Sequence, residues 1–313
     1  MTVSPIRLAL TGAVFAAALL SSGAAFAQTQ GPAPVAAADP TRLFADSQII
    51  VQGRISVEVI GHGPDLIFVP GLSSSRETWR ATAERLRGRY RVHLVQVAGF
   101  AGEPSRDNAS GDILIPTAEA IDAYIVAHKL SPAVLIGHSL GGTMALYLAI
   151  HHPDHLRKVM VVDSLPFYAV LFAGPTATVQ SVTPMANAIR ASAGGPPRDN
   201  TKMVEGMVSS PADRAMVMGW SKASDSGAVV RALADDLTLD MRPDLGSIHT
   251  PITLLYPDNV PAGAPKGSMD GFYHATFAPA GTTTLVRIDN SLHFIMLDQP
   301  AAFAAQLDSF LAN

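Results

Sequence analysis

The sequence predicts an α/β fold built on a mostly parallel sheet with helices on both faces. Three observations carry this. Short apolar runs recur that are long enough for buried strands: Asp65–Val69, Arg91–Val95, Ala133–Ile136, Lys158–Val162, Ile252–Tyr256 and Thr283–Ile288. Segments of helical spacing stand between most of them, which is how parallel strands must be connected. And 48% of the 313 residues are hydrophobic while 15% are charged, enough for one large core.

The elements follow in order. Met1–Arg7 carries one cation, Leu8–Leu20 is almost wholly apolar, and Ala25-Phe26-Ala27 is a small-x-small cleavage signal. Residues 1–27 therefore read as a secretory signal peptide, leaving no stable membrane anchor after cleavage and an exported protein, periplasmic or secreted. Residues 28–46, rich in Pro and Ala up to Pro40, read as a disordered leader. Gln48–Val51 and Arg54–Ile60 alternate as a short antiparallel pair about Gln52-Gly53. The Asp65 strand runs into Pro70-Gly71-Leu72. Arg76–Leu86 is an amphipathic helix with Trp79, Ala83 and Leu86 inward, preceded by Ser73, Ser74 and Ser75 as its cap. Gly99–Ile115 is a long loop, and Thr117–His128 a helix. From Ser164 to Ile248 no buried strand occurs. Prolines and methionines alternate there with helical pieces, so 164–248 reads as a helical insertion into a core made of 47–163 and 249–313. Gly267–Phe277 and Ala301–Leu311 complete the helices.

Composition narrows the chemistry. A net charge of −4 without a basic cluster gives no expectation of a nucleic-acid or anionic-membrane partner. The absence of cysteine removes disulfides, thiolate catalysis and soft metal sites. No metal or cofactor is expected. His151, His152 and His155 read as a surface cluster favourably placed at a helix C-terminus.

The stretch that points to chemistry is Gly137-His138-Ser139-Leu140-Gly141-Gly142, a tight turn between a strand and a helix. It puts the Ser139 hydroxyl at the apex, with glycines where side chains would collide with the neighbouring chain. The free N–H groups opening the helix lie where an oxyanion would form during acyl transfer. Serine needs a base, and histidine is the usual one. Of ten histidines, His293 follows the last strand by a short loop, where it can reach Ser139; His138 is adjacent to the serine and points elsewhere. For the acid that orients the base, Asp258 after the Ile252 strand is the first choice. Asp163 after the Lys158 strand is the second, read more simply as a carboxylate binding loop amides. The backbone N–H groups of Leu72 and Leu140 are the expected oxyanion donors.

These residues resemble the α/β-hydrolase superfamily. The resemblance runs from about Ile49 to Leu311 and rests on the Ser139 turn, Pro70-Gly71-Leu72 and Ser291-Leu292-His293-Phe294. The order Ser139, Asp258, His293 is the order that family uses. It implies an eight-stranded sheet and a lid between the sixth and seventh strands, matching 164–248. Two features depart from the family pattern: Pro70 stands where histidine is common, and the turn Tyr256-Pro257-Asp258-Asn259 is short. Serine as nucleophile argues against the dehalogenase and epoxide hydrolase branches. The expected activity is hydrolysis of a small-molecule carboxylic ester through an acyl-enzyme. A C–C bond hydrolase, lactonase or perhydrolase with the same triad is the alternative, and a non-catalytic binding protein of the same fold a remote one. Phe167, Phe172 and Met207 are candidates for an apolar, adaptable substrate pocket.

Overall fold

The computed structural model describes residues 41–195, 199–258, 266–267 and 269–312. The expected signal peptide 1–27 and most of the expected leader lie outside the described residues. Within them, eight strands form one sheet: β1 (Gln48–Gln52), β2 (Ile55–Gly61), β3 (Asp65–Val69), β4 (Arg91–Val97), β5 (Ala133–His138), β6 (Leu156–Val162), β7 (Ile252–Pro257) and β8 (Thr283–Ile288). Their order is β1-β2-β4-β3-β5-β6-β7-β8. The β1/β2 and β2/β4 pairs are antiparallel and every other pair is parallel. The middles of the central strands β3 and β5 are apolar because both faces are covered. Leu66, Ile67, Phe68, Val69, Leu135 and Ile136 are fully buried.

Helices α1 (Arg80–Leu86), α2 (Leu114–Ala127) and α3 (Leu140–His151) connect the first strands. In α1 the expected Arg76–Leu86 helix is split, since Arg76–Trp79 forms a 3-10 turn capped by Ser75, whose hydroxyl accepts the Glu77 N–H at 3.0 Å. Helix α2 begins three residues earlier than its own pattern indicates. Its first free N–H groups, on Ile113 and Leu114, donate to the Asp235 carboxylate at 2.6 and 3.1 Å.

Between β6 and β7 lie α4 (Val170–Ala173), α5 (Val179–Ala191), α6 (Thr201–Glu205), α7 (Pro211–Ala223) and α8 (Ser226–Thr238), with no strand among the described residues. This segment is fastened to the body at several points. Trp220 Nε1–H donates to Glu77 at 3.1 Å, Phe294 N–H to the Met207 carbonyl at 3.1 Å, and Asp225 N–H to the Gly99 carbonyl at 2.8 Å. Helix α9 (Asp270–Phe277) precedes β8, and α10 (Ile295–Asp298) and α11 (Pro300–Ala312) end the chain.

One boundary differs from the sequence reading. Residues 41–46, placed with the leader, are already fixed in the fold. The N–H groups of Leu43 and Phe44 donate to the buried Glu58 carboxylate at 2.8–3.0 Å, Thr41 Oγ1 donates to Glu103 at 2.9 Å, and Phe44 is buried. The partners lie on β2 and in the loop after β4, beyond the reach of any local pattern.

Candidate active site

Ser139 stands between β5 and α3 with φ 52° and ψ −124°, a left-handed conformation unusual for a residue with a side chain. Such a backbone persists only where the surroundings fix it. A Cβ on Gly137 would come within 2.2 Å of the Gly141 carbonyl oxygen, and one on Gly141 within 2.5 Å of the Val69 oxygen. The turn is thus pressed against both α3 and the end of β3, and only glycine fits at the two flanks. Ser139 N–H donates to the Val162 carbonyl at 3.0 Å, tying the turn to β6.

Pro70-Gly71-Leu72, the expected oxyanion loop, follows β3 beside Ser139. A Cβ on Gly71 would approach Ser139 Cβ to 2.9 Å and its Oγ to 3.4 Å, so this backbone lies directly against Ser139. Leu140 opens α3, where the first N–H groups have no intrahelical acceptor. The loop is held by buried polar groups. Gln96 on β4 accepts the Arg76 N–H at 2.8 Å and donates to the Ser74 and Phe100 carbonyls at 3.2 and 3.1 Å. Arg76, fully buried, bonds Ser56 and lies 3.7 Å from Glu58.

His293 sits on the loop between β8 and α10, with its Nδ1 2.5 Å from an Asp163 oxygen. The contact falls on Asp163, the second choice of the sequence reading, and not on Asp258, the first. Asp258 instead accepts the Gly267 N–H at 3.0 Å. Strand register supplies the reason. His138 is level with Val162 on the adjacent strand β6, so the next residues, Ser139 and Asp163, leave the sheet side by side. Asp258 follows β7, one strand further out, and its own N–H is held by Ile288 of β8. Asp163 also has a positive φ of 48°, and its second oxygen accepts the Tyr273 hydroxyl at 2.5 Å. Burial and the neighbouring Asp163 keep the Tyr273 phenol well above its ordinary pKa, so it remains a donor. No feature of the Gly267–Phe277 pattern marks Tyr273 for this contact.

His138 is a second group the sequence left without a role. It is fully buried, and its Nε2 is 3.1 Å from the His293 carbonyl oxygen, with the two rings 4.6 Å apart. Burial, reinforced by His293, pushes its pKa well below 6.5, so the ring is neutral and donates through Nε2–H. It anchors the backbone of His293. His293 Nδ1 is engaged by Asp163, which leaves Nε2 as the ring nitrogen without that partner. Ser139 Oγ makes no hydrogen bond to it among the described residues, a separation common before substrate tightens a site.

The three pocket candidates have different settings. Phe167 is buried at 1% exposure, with the Arg242 guanidinium 4.5 Å above its ring. Phe172 is 62% exposed on α4, beside Tyr168. Met207 is half-buried, and its carbonyl holds the residue after His293.

A serine of positive φ between strand and helix stands at the same sheet edge as an aspartate-bound histidine, on an eight-stranded α/β sheet. Residues 66–306 match the alpha/beta hydrolase family, and the chain belongs to that family. It is an α/β-hydrolase-fold enzyme of the carboxylic ester hydrolase class. It is 26% identical over 275 residues to a pimeloyl-[acyl-carrier protein] methyl ester esterase of Vibrio cholerae, covering 81% of this chain and 96% of that one. It is also 34% identical over 114 residues, 36% of this chain and 43% of the other, to the enzyme of the same name from Aeromonas salmonicida. Among solved structures, a hydrolase from Pseudomonas aeruginosa superposes with a TM-score of 0.67 at 16% identity, covering 86% of this chain and 99% of that one. The esterase EaEST from Exiguobacterium antarcticum superposes with 0.65 at 20% identity, covering 83% and 96%. These likenesses carry the fold.

Proposed function

We propose that the enzyme hydrolyses small-molecule carboxylic esters through an acyl-enzyme, with Ser139 as nucleophile, His293 as base and Asp163 as the acid that orients it. The observation that carries this reading is the 2.5 Å contact between His293 Nδ1 and Asp163, one residue level with Ser139 on the neighbouring strand. His293 Nε2 takes the Ser139 proton as Oγ bonds to the ester carbonyl carbon. The oxyanion receives the N–H groups of Leu72 and Leu140. Collapse breaks the C–O bond to the alcohol, which leaves with the proton from His293. Water, deprotonated by the same nitrogen, then releases the acid and restores Ser139. Asp163 stabilises the transient imidazolium, and Tyr273 and His138 hold acid and base in place.

The ester reading is supported by the Vibrio cholerae relative, an esterase acting on a methyl ester. The segment 164–248 is the source of substrate preference, with Phe167, Phe172 and Met207 as apolar candidates. Residues 1–27 support export, so the substrate would be met outside the cytoplasm. The test is turnover of p-nitrophenyl esters from acetyl to long acyl chains by wild type and Ser139→Ala. Turnover lost in the variant supports the reading. Equal turnover in both overturns it.

A further inference from the structure

At the far end of α3 from Ser139, four side chains from three elements converge on one spot. Asp122 and Glu119 lie one turn apart on α2, His152 caps the C-terminus of α3, and His155 ends the 3-10 turn Pro153–His155. We propose that Asp122, His152 and His155 form a binding site for one divalent transition ion of the zinc class, independent of the catalytic centre.

Three observations carry this. The ligating atoms of the three residues lie within 4.8 Å of one another, where zinc needs donors about 3.3 Å apart. His155 Nδ1 is 2.7 Å from one Asp122 oxygen and His152 Nδ1 is 3.7 Å from the other, so both rings turn the same nitrogen to a single carboxylate. The second observation is the turn that aims the rings. Pro153 starts it, His155 N–H closes on the His152 carbonyl at 3.0 Å, and the imidazoles stack with 8° between their planes.

The third observation lies behind the ligands. His152 Nε2 is 3.0–3.1 Å from both oxygens of Glu119, and Glu119 accepts the Tyr147 hydroxyl at 2.9 Å. A carboxylate on the outer nitrogen fixes the histidine tautomer with a lone pair on Nδ1, the arrangement that metal-binding histidines use. A helix C-terminus would favour protonated histidines by itself, but it requires neither a shared carboxylate nor a second one behind a ring. Two imidazoles and a carboxylate suit zinc or copper over magnesium or calcium, which prefer oxygen. Asp122 is nearly buried while the histidines are about one-quarter to one-third exposed, so the fourth position opens to water. Zinc would displace the proton shared by His155 and Asp122 and clamp α2 to the end of α3. Helix α3 has 12 residues, about 18 Å, which separates this site from the nucleophile.

The experiment is calorimetric titration of the full chain with zinc chloride, alongside His151→Ala, Glu119→Gln and the double variant His152→Ala/His155→Ala. Wild type and His151→Ala should bind one ion with the same affinity. Glu119→Gln should bind about 10-fold more weakly, and the double variant more than about 100-fold. Ester turnover measured without zinc should be equal in all four, which verifies folding and separates this site from the catalytic reading. Saturable zinc binding that is unchanged in the double variant, or no saturable binding by wild type, would overturn the proposal.

Discussion

Asp163 and Asp258 each close a parallel strand at the edge that carries Ser139, yet only Asp163 meets His293. Asp163→Asn removes the acceptor that fixes the His293 tautomer, and kcat on a p-nitrophenyl ester should fall about 10³- to 10⁴-fold. Asp258→Asn should stay within a few-fold of wild type, because its carboxylate serves the Gly267 N–H. Steady-state kinetics of the two variants check this. Asp236 on α8 offers a second test at the scale of one side chain. It is buried with one carboxyl oxygen unpartnered, bonds Thr143, and burial raises its pKa to about 7, with Asp235 adding to the rise. Its folded pKa is raised above the unfolded value, so the folded state holds a proton that the unfolded state releases. The stabilisation is complete below about pH 4 and lost as pH rises to about 7. Asp236→Asn, which cannot ionise, should therefore melt higher than wild type at pH 8, and the gain should shrink at pH 5. Thermal melts at the two values read it.

The oxyanion loop is shaped by elements distant in sequence. Gln96 of β4 bridges Arg76, Ser74 and Phe100, and the buried Arg76 reaches Ser56 and Glu58 on β2. Gln96→Ala leaves those backbone groups without their buried partner, at a cost of about 1–3 kcal/mol. It should also lower kcat by about 10- to 100-fold with KM little changed, because the Leu72 donor loses its fixed position. Kinetics and a thermal melt together measure both effects. The sequence marked every strand of this site and the serine turn, since burial and glycine punctuation are local signals. It could not mark what long-range contacts decide. Helix α2 starts at Leu114 because Asp235, 121 residues away, caps it. Residues 41–46 are ordered because Glu58 collects their N–H groups. The choice between two aspartates depends on strand register, a quantity that chain order alone does not contain.

For the molecule as a whole, the helical segment between β6 and β7 belongs to the same structure as the sheet. It packs α5 against α8 and meets the body through Asp235, Asp225, Trp220 and Met207. Asp235 is the firmest tie, with two backbone N–H groups and the Arg190 guanidinium on one carboxylate. Asp235→Ala should lower stability by about 1–3 kcal/mol and make the segment 164–248 the first site of limited proteolysis. The proposed triad draws on three parts of the sheet: Ser139 after β5, Asp163 after β6 and His293 after β8. The most direct measurement is the rate and position of covalent labelling by a fluorophosphonate, read by mass spectrometry of digested protein. The proposed triad predicts a single adduct on Ser139 in wild type, formed at a similar rate in Asp258→Asn and far more slowly in His293→Ala and Asp163→Asn. An adduct on another residue, or slow labelling in Asp258→Asn with normal labelling in Asp163→Asn, would contradict it.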